Sequence, residues 1–274
     1  MEQARRTRRL QMFGGVALLA VLIVAAVIVV TSTGGSSHGN PIRASKVVSA
    51  KAACSAAKAT AVCNRVDSLL AGIPQSGNTL GNPKAKITVT EFGDLECSVC
   101  DAFADAANVD TSAGTPGTGY EDQLINQYVR TGKVKLVYRS LETATGHGAT
   151  PGIWTEQQTA PYAAGLQDKA WYYIELFYNL QQPEGTPYTR TFLEGIARLV
   201  PGLNYSAWLT NLQNPKLQAK VSADNSAGTA VDSSNPNGVG TPTIVVTGPK
   251  GQAQPIDGLP GAFSELSSEI NSVS

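Results

Sequence analysis

The chain is poor in imidazole. His38 and His147 are its only histidines, so a Ser-His-Asp site or a histidine-rich metal centre is badly supplied. Charge is also scarce. Charged residues make up 15% of the sequence, 21 Lys and Arg balance 21 Asp and Glu, and no basic cluster stands in the body of the chain. That argues against nucleic acid as a partner, because phosphate contact needs a positive footprint. Cysteine is limited to Cys54, Cys63, Cys97 and Cys100. There is no internal repeat. At 274 residues the chain is long enough for one large core or two small ones.

The one place where charge clusters is the N-terminus. Arg5, Arg6, Arg8 and Arg9 precede Met12–Val30, a run with no charged residue. As a helix that run is about 28 Å long, close to the roughly 30 Å of a bilayer's hydrocarbon core. The arginines on its N-terminal side outnumber Arg43 on the other. The positive-inside bias therefore predicts a cytoplasmic basic tail over 1–11, a single-pass transmembrane anchor over 12–30, and the remainder extracytoplasmic. The other reading is a cleaved secretory signal, with the small residues of Thr31–Ser37 hosting the cut. Its apolar region is usually shorter, about 7–15 residues. Either way the cysteines face a compartment where disulfides form and persist.

Residues 31–45 are rich in Gly, Ser and Thr and read as a flexible tether. Residues 46–78 are a helical extension, Ala-rich through Ala71, with Gly72–Pro83 as a loop. From Thr79 to Ser274 the pattern is α/β. ITVTEF (87–92) and VKLVY (134–138) alternate as strands, and helix signals begin at Cys97 and at Tyr120. A block of helices is expected at about 155–232, with Trp171, Ile174 and Tyr178 on one face and Leu193, Ile196 and Ala197 on another. The aromatic residues around Trp171 fit core packing or a peptide-binding face. TIVVT (243–247) is a late strand, 253–257 its antiparallel partner, and Phe263, Leu266, Ile270 and Val273 mark a final helix.

Cys97-Ser98-Val99-Cys100 sits between the strand ending near Phe92 and the start of a helix. A helix's first turn presents unpaired N–H groups and partial positive charge, which stabilise a thiolate. The thiolate is the form that attacks a disulfide, and a second thiol two residues on is placed to resolve the mixed disulfide. Two other readings stand beside redox exchange. An inert structural pair is one. A zinc half-site is the other, but it needs a second ligand pair, and only Cys54 and Cys63 remain.

Two further features bear on the pair. Strand alternation puts Glu91 on the side of Ile87 and Val89. Burial there raises a carboxyl pKa and suits it to relay the proton of Cys100; the alternative is a strand-end glutamate that reaches solvent. Asp94 and Glu96 are expected on the surface, where their charge works against a thiolate. Farther on, Gly240-Thr241-Pro242-Thr243 leads into the late strand. Proline is tolerated at a strand's first residue, and the Thr241–Pro242 bond is a candidate for the cis form.

A strand-to-helix segment E-F-x-D-x-x-C-x-x-C, a mid-chain helical block and G-T-P-T before a late strand resemble the DsbA-type thiol–disulfide oxidoreductases of the thioredoxin fold, in their membrane-anchored bacterial form. The resemblance spans roughly Thr79–Ser274. It implies a thioredoxin-like fold with an inserted helical domain, Cys97 as nucleophile, Cys100 as resolving thiol and Glu91 as the buried acid. It also implies that Thr241 and Pro242 form a cis-proline loop which, with Ser98 and Val99, meets an extended substrate. One departure stands out: the dipeptide between the cysteines is usually Pro-X, often with an imidazole, and here it is Ser98-Val99. That leaves the direction of electron flow open.

Cys54 and Cys63 lie in the Ala-rich segment. In one straight helix they would be about 13 Å apart along the axis, too far for a disulfide, whose Cα atoms lie within about 7 Å. A helix break near Thr60 and a structural disulfide are expected, with a second redox pair as the alternative. The functional expectation is an extracytoplasmic oxidoreductase that passes the Cys97–Cys100 disulfide to reduced exported proteins and is reoxidised by a DsbB-like or vitamin K epoxide reductase-like membrane partner. No metal or organic cofactor is implied. The alternatives are a disulfide isomerase or reductase of the same fold, and a non-catalytic anchored binding module.

Overall fold

A computed structural model describes residues 57–104, 117–144, 153–181, 188–232 and 238–274. The basic tail, the anchor at 12–30, the tether, the first part of the helical extension, Cys54, His38 and His147 lie outside the described residues. Among the described residues no helix is long and apolar enough to cross a membrane.

The first element, α1 (Ala57–Leu70), runs unbroken through Thr60. The break expected near Thr60 is therefore not found; the Ala-rich run favours continuous helix. Val66 and Leu70 are buried against the body. Arg130 fixes the helix end, donating through Nη1 to the Ala71 carbonyl at 2.7 Å and through Nη2 to the Leu69 carbonyl at 2.6 Å. These carbonyls have no partner within the helix.

A hairpin then forms where the sequence pattern predicts a loop. β1 (Gln75–Ser76) pairs with β2 (Thr79–Leu80) around Gly77 and Asn78. Gly77 has φ 56°, the left-handed backbone that tight hairpin turns demand and that glycine adopts without steric cost. Strands of two residues are too short to show a period.

The alternating run becomes β3 (Ile87–Gly93). Its neighbours are β4 (Val134–Ser140), parallel, and β5 (Thr243–Gly248), antiparallel. Parallel strands need a long crossover. Here it contains α2 (Ser98–Ala104) and α3 (Tyr120–Leu124), the latter running into a π-helical turn at Ile125–Val129. Between β4 and β5 come α4 (Ile153–Gly165), α5 (Ala170–Asn179), α6 (Arg190–Leu199), α7 (Tyr205–Asn211) and α8 (Pro215–Thr229). Three of these start on side-chain caps: Thr189, Asn204 and Asn214 accept from the amides of Phe192, Ala207 and Lys216, which satisfies otherwise orphaned donors. The chain closes with β6 (Gly251–Gln252) and β7 (Ile256–Asp257), both antiparallel to β5, and α9 (Phe263–Ser272). The sheet order is β1-β2-β4-β3-β5-β6, with β7 also on β5.

Ile87 and Val89 of β3 join one large core with Phe103, Leu136, Trp171, Tyr173, Tyr178 and Leu266. Of the aromatic run on α5, Trp171, Tyr173, Phe177 and Tyr178 are fully buried, so these residues pack the core. On the other face of β3, Phe92 forms a smaller cluster with Leu141 and Val245.

Candidate active site

The site is built where β3 ends. Gly93 must be glycine for a steric reason. A Cβ there would lie 2.8 Å from Glu91 Oε1, 2.8 Å from Tyr138 Cε2 and 2.9 Å from the Tyr178 hydroxyl. The next residue organises the loop. Asp94 is completely buried, contrary to the surface position expected of it. Its Oδ1 accepts from the Glu96 amide at 3.0 Å and Gln158 Nε2 at 3.3 Å, and its Oδ2 accepts from the amides of Thr143 and Ala144, both at 2.9 Å. One carboxylate thus ties the segment before Cys97 to the segment after β4. Glu96 is buried too, which corrects the same expectation. The carbonyls of Leu95 and Cys97 are held from the far side by Gln181 Nε2, at 2.6 and 3.2 Å.

Cys97 and Cys100 are both free thiols, and they are not equivalent. Cys97 keeps 7% of its surface and Cys100 none, so Cys97 is the more accessible of the two. The Cys97 pKa is lowered to about 7. The main cause is a hydrogen bond from the Cys100 thiol; burial opposes it, and a Thr241 side-chain hydrogen bond and the backbone amides of Cys100 and Val99 assist. All of these helpers are neutral. Cys100 is pushed well above its ordinary value, first by burial and then by the neighbouring Cys97 and Glu91. Ser98 is buried and Val99 half-buried.

Glu91 is fully buried. Loss of hydration raises its pKa to about 7, while hydrogen bonds with Glu121 and Tyr178 hold it back. The Tyr178 hydroxyl donates to Glu91 Oε1 at 3.3 Å. Two more carboxyls, Glu121 on α3 and Glu175 on α5, are also completely buried.

The Gly240–Thr243 segment comes in from the other end of the chain. The Thr241–Pro242 peptide bond is cis. Cys97 Sγ donates to the Thr241 carbonyl at 3.3 Å, and the Thr241 and Thr143 hydroxyls are hydrogen-bonded to each other. Asp257 on β7 steadies the segment by accepting from the Gly240 amide at 2.7 Å. Cys97, Cys100, Glu91, Thr241 and Pro242 therefore come together with Ser98 and Val99. Cys63 lies apart on α1 and is disulfide-bonded; Cys54, its expected partner, is outside the described residues. No group of three or more His, Cys, Asp or Glu among the described residues is arranged to hold a metal ion.

A family model described as thioredoxin matches residues 75–262, more than half of the chain. The chain belongs to the thioredoxin family. Solved structures with the same fold include oxidised BdbD from Bacillus subtilis, at TM-score 0.52 and 17% identity, covering 73% of this chain and 95% of that one. DsbA from Chlamydia trachomatis gives TM-score 0.52 and 18% identity, covering 71% and 90%. A thioredoxin-like oxidoreductase from Silicibacter pomeroyi gives 0.51 and 22%, covering 75% and 95%. At these identities the likeness is one of fold: this thioredoxin-family chain has the fold of DsbA-like thiol–disulfide oxidoreductases. No curated protein matches it significantly.

Several residues of this thioredoxin-family site carry no sequence signal of their own. Tyr178 and Gln181 lie 87 and 84 positions from their partners Glu91 and Cys97. Glu121 reads as an ordinary acidic residue in a helix's first turn. Asp94 sits inside the E-F-x-D motif, and that position is the one hint of its role.

Proposed function

We propose that the chain is an extracytoplasmic thiol–disulfide oxidoreductase, held to the membrane by residues 12–30, that exchanges the Cys97–Cys100 disulfide with cysteines of exported proteins. The observation that carries this reading is the asymmetry of the pair: a more accessible Cys97 with its pKa lowered to about 7 over a wholly buried Cys100 with its pKa raised. A substrate thiolate forms a bond with Cys97 Sγ as the Cys97–Cys100 bond breaks. Its electron pair goes to Cys100 Sγ, which takes a proton from Glu91. A second substrate thiolate then attacks the substrate sulfur of the mixed disulfide, and Cys97 leaves as a thiolate, a good leaving group at this pKa. In this reading the backbone of an extended substrate meets the Thr241 segment beside Cys97. A DsbB-like or vitamin K epoxide reductase-like membrane enzyme would restore the disulfide.

A second reading, reductase or isomerase, is favoured by one observation. The groups that lower Cys97 are neutral, and about 7 matches the thiol of thioredoxin, whereas the strongly oxidising DsbA has a thiol pKa of about 3.5. The equilibrium potential against glutathione separates the two. For exchange itself the test is trapping. The Cys100→Ala chain should accumulate mixed disulfides with exported proteins through Cys97, and a chain that accumulates none is not an oxidoreductase.

A further inference from the structure

Beneath the cysteines the structure holds a feature that thiol exchange by itself does not require. Glu91, Glu121 and Glu175 come from β3, α3 and α5, and each is completely buried. Like charges in a dry interior repel strongly, so three ionised carboxylates would not persist together. Neither oxygen of Glu121 accepts from an N–H or hydroxyl group among the described residues. The side chain set against it is the Glu91 carboxyl. Two carboxyls make that contact only if one of them carries a proton. Glu121 also feels Glu175 and Asp122. Arg65 stands between Glu175 and the surface: Arg65 Nη1 lies 3.9 Å from Glu175 Oε2, and Arg65 Nη2 is 2.6 Å from Asp122 Oδ2. Asn179 joins them, accepting from Arg65 Nη1 at 2.7 Å and donating to the Glu175 carbonyl at 2.8 Å. The Arg65 side chain retains 26% exposure. Arg65 lies on α1, before the stretch matched by the family model.

We infer that Glu121 and Glu175 form a proton relay that loads and unloads Glu91 from the Arg65 side of the molecule. This rests on the exchange reaction proposed above and adds the path its proton takes. A substrate joined to Cys97 covers the outer face of the pair while Cys100 needs its proton. The row opens elsewhere, at α1. As the Cys97–Cys100 bond breaks, Cys100 Sγ receives the electron pair and the Glu91 proton. Glu121 passes its proton to Glu91, Glu175 passes one to Glu121, and solvent at Arg65 restores Glu175. Reoxidation runs the same transfers outward. Glu121 and Glu175 touch no reacting sulfur, so they are positioning residues acting through Glu91. The other groups facing the Glu91–Glu121 contact are Tyr178 from α5, Tyr138 from β4 and the two thiols of the Cys97 segment. Each tyrosine is held neutral by burial, which leaves Glu91, Glu121 and, in the reduced protein, the Cys97 thiol as the groups that titrate.

The test is single-turnover reduction of the full chain by dithiothreitol from pH 5 to 9, in H2O and D2O. The variants are Glu121→Gln, Glu175→Gln and Arg65→Met. Glu121→Gln keeps the shape and removes the transferable proton. Its expected result is a slowing on the order of 10-fold, modest for a lost acid–base step, with an altered solvent isotope effect. Arg65→Met, at a partly exposed position, gives a smaller slowing and an upward shift of the pH midpoint, since loss of a cation favours the protonated carboxyl. It also serves if a buried variant fails to fold. In both variants the alkylation rate of Cys97 in the reduced protein should stay close to wild type. Wild-type exchange with unchanged rates, isotope effects and pH profiles in Glu121→Gln and Arg65→Met overturns the relay alone. A wild-type chain that exchanges no disulfide overturns the oxidoreductase reading, and the relay with it.

Discussion

Cys97 Sγ lies 3.3 Å from the Thr241 carbonyl oxygen, 144 positions away in the chain. The contact joins the segment that precedes α2 to the segment that precedes β5. It puts the more accessible thiol beside the backbone of the cis-proline segment.

Alkylation of the reduced protein should show Cys97 titrating with a midpoint near 7, against about 8.5 for an unperturbed thiol. Cys100 should resist reagent until the fold opens, because it has no exposed surface. Thr241→Ala removes one of the hydrogen bonds that lower Cys97, so its midpoint should move up. A Cys97 midpoint near 8.5 in the unmodified chain would count against exchange chemistry.

The stability of the reduced protein should depend on pH with two opposite slopes. Glu91 is raised from 4.5 to about 7, so the folded state binds its proton more tightly. That contribution is complete below 4.5 and is lost as pH rises through 7. Cys97 is lowered from 9.0 to about 7; its contribution is complete above 9 and is lost as pH falls through 7. Urea titrations under reducing conditions should show Glu91→Gln flattening the acid-side slope without abolishing it, since Glu121 is also raised. The alkaline-side slope should disappear in Cys97→Ser.

Asp94→Ala should destabilise the chain by about 3 kcal/mol, because it strands buried donors. The amides of Glu96, Thr143 and Ala144 and the Gln158 side chain would all lose their acceptor. Asp94→Asn, which keeps one acceptor oxygen, should lose less. Urea midpoints decide between this and a surface Asp94, for which both changes would be near neutral.

Gly93→Ala tests the close approach under the cysteines. The added methyl meets Glu91 Oε1, Tyr138 and the Tyr178 hydroxyl at under 3 Å. Overpacking of this kind costs about 1–3 kcal/mol. It should also displace the Tyr178–Glu91 hydrogen bond, so the acid-side slope described for Glu91 should change together with the urea midpoint.

The sequence by itself determined the elements whose signal is local. Ile87, Val89 and Glu91 alternate onto one face, Leu136 and Tyr138 do the same on β4, and Leu266 and Ile270 mark the buried side of α9. The spacing of Cys97 and Cys100 and the Thr241-Pro242 pair were legible for the same reason: each is a short pattern with a physical meaning. Burial depth was not legible. Asp94 and Glu96 look like surface charges because nothing near them in sequence shows that Thr143, Ala144 and Gln158 come to meet Asp94. The β1–β2 hairpin is too short to show its period. Only the tertiary structure decided that Glu91, Glu121 and Glu175 are all buried and that Arg65 comes to Glu175. Their encounter depends on β3, α3, α5 and α1 being packed together, and a carboxyl's protonation is set by its solvation and by its neighbours in space rather than along the chain.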